Sequence, residues 1–173
     1  MNEDKIPQDG QDKAPFFISS NGTWFYQGSP ISRKSLVKLF ASVLRREEDG
    51  SFWLVTPVER VAVAVADAPF MVIRANRTNS GSTQKLELFT NTDDTIVVDV
   101  EHPIYVETNP ATGEPAPYAI VRNGLRGRIT RSVFYDLVIW SEEEPESGEY
   151  FLRSMGEKFV IGRATTDVES TDA

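Results

Sequence analysis

The sequence predicts an α+β fold, mostly antiparallel, made of two β-rich halves that each carry a strands–helix–hairpin motif. Three observations carry this prediction. The stretch Ile31 to Val63 recurs without a gap, 98 positions later, as Ile129 to Ile161. Seven of its 33 positions are identical in the two copies, including Arg33/Arg131, Leu39/Leu137, Leu54/Leu152 and Glu59/Glu157, where average usage gives roughly two by chance. Each copy also holds one apolar stripe at helical spacing. The remainder consists of short β-branched and aromatic runs punctuated by Gly, Pro, Asn and Asp.

Taken in order, Phe16-Phe17-Ile18 and Trp24-Phe25-Tyr26 flank a Ser/Asn/Gly turn and read as strand, turn, strand, stopped at Gly28-Ser29-Pro30. Ser32 is then the expected N-cap of a helix, with Ile31 and Leu36 as its hydrophobic staple. Leu36, Leu39, Phe40, Val43 and Leu44 form its core-facing stripe, and Arg45-Arg46 suits the negative end of the helix dipole. Phe52–Val55 and Glu59–Val65 read as a hairpin across Thr56-Pro57-Val58.

The middle of the chain is β-like. Phe70–Ala75, Gln84–Thr90, Thr95–Val100 and Ile104–Glu107 read as strands, and the proline-rich Thr108–Pro117 as an exposed loop. Tyr118–Val121 and Gly127–Ile129 flank Asn123-Gly124, a hairpin-turn signal. The second copy follows, with Thr130 as cap, Phe134, Leu137 and Val138 as stripe, and Tyr150–Arg153 with Lys158–Ile161 as hairpin. The expected organisation is a tail over 1–13, a small domain over 14–66, a larger one over 67–163 and an acidic tail over 164–173.

Hydrophobic residues make up 40% and charged residues 25%, values of a globular chain. The net charge is −8, of which residues 1–13 hold −2 and residues 164–173 hold −3. Such acidity leaves no large electrostatic footprint for nucleic acid. The absence of cysteine removes disulfides, thiolate metal sites and cysteine nucleophiles together. No apolar run approaches a membrane span and the N-terminus lacks a signal-peptide core, so a cytoplasmic protein is expected.

Gly22-x-Trp24-Phe25-x-x-Gly28-x-x-Ile31, the run Leu54-x-Thr56-Pro57-x-Glu59 and the Tyr150–Ile161 block resemble the bacterial family called domain of unknown function 1285. The likeness covers about residues 14–163. It implies a two-domain fold from a duplicated motif, with a C-terminal half superficially similar to pleckstrin-homology domains. It further implies binding at the domain interface and a role in signalling, and brings no catalytic signature and no site residues.

The candidate chemistry is sparse. His102 is the only histidine, and on a strand it points away from Asp99 and Glu101, so a structural role is favoured and no metal site is expected. No nucleophile elbow, phosphate loop or cofactor motif occurs. Arg122, Arg126, Arg128 and Arg131 lie in a stretch without acids between Glu114 and Asp136. They form either an anion site, through guanidinium forks at a helix start, or a solvated face balanced by the Glu142–Glu149 loop. Arg33 and Arg131 each fall in a helix's first turn, against the dipole by about 0.3–1 kcal/mol. The expected explanation is an ion pair in each copy, Arg33 with Glu59 and Arg131 with Glu157. Trp53 is expected to line the cleft between the halves. The leading reading is a non-enzymatic binding protein for a small anionic molecule or a protein partner, without cofactor. An enzyme on a phosphorylated or carboxylated metabolite, and a structural interaction module, are the alternatives.

Overall fold

The computed structural model describes residues 14–164; the segments 1–13 and 165–173, expected to be tails, lie outside the described residues. The first half is one six-stranded sheet in the order β3-β2-β1-β6-β5-β4. Its strands are β1 (Phe16–Ile18), β2 (Trp24–Tyr26), β3 (Ser29–Pro30), β4 (Leu44–Arg46), β5 (Phe52–Val55) and β6 (Arg60–Val65), with helix α1 (Lys34–Ser42) between β3 and β4. The second half holds a six-stranded sheet in the order β10-β11-β12-β7-β8-β9. It comprises β7 (Phe70–Thr78), β8 (Lys85–Thr90), β9 (Thr95–Val97), β10 (Ile104–Thr108), β11 (Pro115–Arg122) and β12 (Leu125–Ile129). Helix α2 (Arg131–Trp140) follows, and then a three-stranded sheet of β13 (Glu142–Glu143), β14 (Glu149–Ser154) and β15 (Glu157–Arg163). In both large sheets the central pair is parallel (β1 with β6, β12 with β7) and the other pairs are antiparallel.

The duplication is visible as strand register. Leu54 pairs with Val61 and Leu152 with Phe159, while Val55 pairs with Arg60 and Arg153 with Lys158, the same pairing 98 residues on. Leu54 and Leu152 are buried in both copies, as are Val63 and Ile161. The helices are related differently. Leu39 is 60% exposed, whereas Leu137, its partner at the 98-residue spacing, is fully buried. The inward residues include Val37 and Ala41 in α1, and Val133 and Leu137 in α2. Those faces correspond at a spacing of 96, and two residues turn a helix by about 200°.

Three expectations are corrected at α1. The N-cap is Arg33, with no side-chain cap, rather than Ser32. The helix ends at Ser42, so Leu44, Arg45 and Arg46 belong to strand β4 and the arginines do not sit on the helix dipole. Of the expected stripe, Phe40, Val43 and Leu44 pack on the core, but Leu39 is exposed and Val37 and Ala41 face inward instead. A fourth correction concerns Thr108–Pro117. Its last residues are strand: Thr108 pairs with Pro115 and Val106 with Pro117. Ile120 donates its N–H to the Pro103 carbonyl at 3.1 Å, so the even-numbered residues of β11 bond toward β10. Pro115 and Pro117 face the other edge, where pairing with β12 begins only at Tyr118, so their missing N–H groups cost no ladder bond.

One apolar core runs through both halves, from Ile18, Trp24 and Leu44 to Phe70, Leu88, Leu125 and Leu152. The small third sheet is anchored on the second, with the Leu86 N–H donating to Ser154 Oγ at 3.0 Å and Gln84 Nε2 to the Arg153 carbonyl at 2.8 Å.

Candidate functional site

Among the described residues two clefts open where the halves meet, and Asp67, in the link between β6 and β7, borders both. The larger, about 710 Å³, lies between the β1–β2 turn (Ser20, Asn21) and the start of α2. Its walls include Arg128, Thr130, Arg131 and Phe134, with Glu114 also at its border. The turn is held there by Gly22, whose φ of +84° suits glycine. Its carbonyl accepts from Asn91 Nδ2 at 3.4 Å, and Asn91 Oδ1 accepts from the Met71 N–H at 3.0 Å. The smaller cleft, about 470 Å³, is bordered by Arg46, Phe52, Tyr105, Glu107 and Arg126.

The antiparallel pairing of β10, β11 and β12 fixes one charged face. Tyr105 lies opposite Tyr118, Tyr118 opposite Arg128 and Ile120 opposite Arg126, so period-two alternation brings the two tyrosines and two arginines together. The Tyr118 hydroxyl donates to Asp67 Oδ1 at 2.6 Å, and Arg128 approaches Asp67 Oδ2 at 3.3 Å. Arg126 lies 3.0 Å from Glu107 and 3.7 Å from Asp67, its guanidinium 3.9 Å from the Tyr118 ring centroid. Burial, and then the bond to the Asp67 carboxylate, push the Tyr118 phenol above its ordinary value, because both oppose a phenolate.

The four arginines therefore do not act as one cluster. Arg122 turns to the first half, donating to the Ala41 carbonyl near the end of α1 and lying 5.3 Å from the Phe70 ring centroid. A guanidinium there adds a donor to a carbonyl of the last helical turn and complements the helix dipole. Arg126 and Arg128 are neutralised by Asp67 and Glu107, not by the Glu142–Glu149 loop. Arg131 is the exposed one of the four; it borders the larger cleft, as Arg128 does, but unlike Arg128 it has no carboxylate within 4.0 Å among the described residues. Beside it Thr130 Oγ1 is buried without a hydrogen-bond partner among the described residues, and α2 has no side-chain cap.

The proposed pairs Arg33–Glu59 and Arg131–Glu157 are not among the ion pairs of the described residues. All four side chains are exposed, where water removes most of the gain from pairing. Arg33 precedes the first helical residue and so sits outside the first turn. Trp53 does not reach either cleft: on β5 the alternate residue Phe52 borders the smaller one. Trp53 is half-buried under Arg60, 4.8 Å from its ring centroid, and donates Nε1–H to Ser51 Oγ at 2.9 Å. Sequence reasoning missed Asp67, Tyr118 and Glu107 as parts of the junction. Period two within β10 and β11 was the available signal for Glu107 and Tyr118.

His102 sits in a turn rather than on a strand, and its Nδ1 lies 2.9 Å from Asp99 Oδ1. Among the described residues no three His, Asp or Glu side chains gather as metal ligands. No helix among them is long and apolar enough to cross a membrane.

A family model described as "Domain of unknown function (DUF1285), N-terminal domain" matches residues 7–68, and its C-terminal counterpart matches residues 69–161. A DUF1285 family protein of Silicibacter pomeroyi DSS-3 is similar at 43% identity and a TM-score of 0.82, covering 88% of this chain and 81% of that one. A DUF1285 family protein of Shewanella baltica OS155 is similar at 29% identity and a TM-score of 0.57, covering 73% and 91% respectively. No curated protein matches.

Proposed function

This chain belongs to the DUF1285 family, and from that premise we propose that it is a non-enzymatic binding protein, cytoplasmic and serving in signal transduction. Its ligand is a small molecule with one compact anionic group, held in the larger cleft between the halves. The observation that carries this reading is Arg131, a cation without an ion-pair partner among the described residues, bordering a cleft of about 710 Å³ at an uncapped helix start. That volume is in the range of small-molecule sites. Arg131 supplies a guanidinium fork for carboxylate or phosphate, and the buried Thr130 hydroxyl is a spare donor. Glu114 at the border disfavours a polyanion filling the cleft, so a single anionic group on a neutral body fits best.

Thermal unfolding against nucleoside monophosphates, sugar phosphates and carboxylic acids tests the reading. A ligand at a hundredfold its Kd adds roughly 2.7 kcal/mol, or about 5–10 °C for a chain of this size. The expected result is a hit that Arg131→Ala abolishes. A panel without hits, or a hit indifferent to Arg131→Ala, overturns it.

A protein partner is the second reading. It is favoured by Tyr135, Val138 and Ile139 on one side of α2, exposed at 58%, 44% and 77%.

A further inference from the structure

A third pocket, about 680 Å³, lies wholly within the first half, between α1 and its sheet. Three of its aromatic side chains form one wall. The ring centroids of Phe16 and Tyr26 are 4.9 Å apart at 43°, and those of Phe16 and Phe40 are 4.9 Å apart at 62°. Leu54 and Val61 continue the apolar surface. Glu59 is the one charged residue bordering the pocket, and among the described residues its carboxylate has no cation within 4.0 Å. Neighbouring Arg60 is turned to Glu47, at 2.7 Å.

We propose that this pocket binds an alkylammonium cation, its substituted head against Phe16, Tyr26 and Phe40 and its charge met by Glu59. The π faces of aromatic rings are negative and attract a cation, the more so when it is desolvated. The same wall offers few acceptors, so it cannot replace the water around a metal ion or a primary ammonium. A quaternary or heavily alkylated ammonium has no such N–H bonds to lose, and its alkyl groups bury apolar area. The unpaired carboxylate selects the cation over its neutral isostere. Because Glu59 is exposed, its share is salt-dependent and moderate.

The test titrates the full chain with choline and with 3,3-dimethylbutan-1-ol, the uncharged isostere of choline, following the probe's methyl protons by NMR. Methyl groups against ring faces move upfield through ring currents. The expected result is a saturable upfield shift for choline, affinity at least about fivefold lower for the alcohol, and a similar loss in Glu59→Gln. Phe40→Leu keeps an apolar side chain but removes one of the three π faces, and reduces the upfield shift and the affinity. Should Phe40→Leu not fold, Glu59→Gln changes only an exposed carboxylate and still decides. Arg131→Ala leaves choline binding unchanged, which separates this pocket from the interdomain cleft. No saturable shift, equal affinity for the alcohol, or indifference to Glu59→Gln overturns the proposal.

Discussion

Asp67→Asn keeps the size of the side chain in the link between the halves and removes its charge. In the native protein this carboxylate accepts from the Tyr118 hydroxyl at 2.6 Å and lies 3.3 Å from Arg128 and 3.7 Å from Arg126. Hydrogen bonds to charged groups are worth about 1.5–3 kcal/mol. Breaking a fully buried ion pair costs about 3–5 kcal/mol. The side chains here are 23–33% exposed, and Arg126 keeps Glu107 at 3.0 Å, so the ion-pair part must be discounted. The expected loss is about 2 kcal/mol, or about 4–8 °C in Tm for a chain of this length. Urea unfolding followed by tryptophan fluorescence measures it. A double-mutant cycle with Tyr118→Phe should give a coupling of about 1 kcal/mol between the two side chains. A loss under about 0.5 kcal/mol, the range of ordinary surface substitutions, or strict additivity with Tyr118→Phe would refute the junction as described. Stability and affinity should move in opposite directions, since Asp67→Asn releases Arg128 toward the larger cleft and should tighten anion binding.

Three further outcomes follow from particular contacts. Leu137→Ala should cost about 2–5 kcal/mol and Leu39→Ala under about 0.5 kcal/mol in denaturant unfolding, although the two leucines are equivalent in the repeat. Gly22→Ala places a Cβ 2.6 Å from Met71 Cγ, whereas Gly81→Ala, also at positive φ, meets nothing within 4 Å; Gly22→Ala should be the more damaging by at least about 1 kcal/mol. Burial works to raise the Asp99 carboxyl, but hydrogen bonds from the His102 ring and from the backbone N–H groups of His102 and Glu101 outweigh it and hold the group below its ordinary value. Its contribution is therefore complete above the unfolded-state pKa of about 3.9 and lost as pH falls through the lower folded-state value, so the stability gap between wild type and Asp99→Asn should close only in that acid range.

The hairpins were legible because their information is local. Alternation and a short turn set the pairing of β5 with β6 and of β14 with β15, and both sequence copies keep it. The phase of α1 was only partly so, since Leu36, Val37, Leu39, Phe40 and Ala41 spread apolar groups over about 200° of a helix of nine residues. Which of them faces inward is decided by the sheet beneath. Pro115 and Pro117 read as loop because a strand's tolerance for proline depends on which edge lacks a partner, and that is a tertiary fact. The arginine stretch was found, but its partners were not: Asp67 lies 61 residues from Arg128, and Glu107 lies 19 from Arg126. Arg131 was legible as a candidate yet not as the one left open, because that depended on where the acids of distant strands came to rest.

Arg131 is proposed to receive an anionic group in the cleft between the halves. Calorimetric titration of glucose 6-phosphate, adenosine monophosphate and inorganic phosphate into the wild type and into Arg131→Ala, at matched ionic strength, tests it most directly. Saturable binding of at least one of these probes is expected, weakened by about tenfold or more in Arg131→Ala, the loss of one charge-assisted hydrogen-bond set. No saturable binding of any of the three, or the same Kd in both proteins, would contradict it.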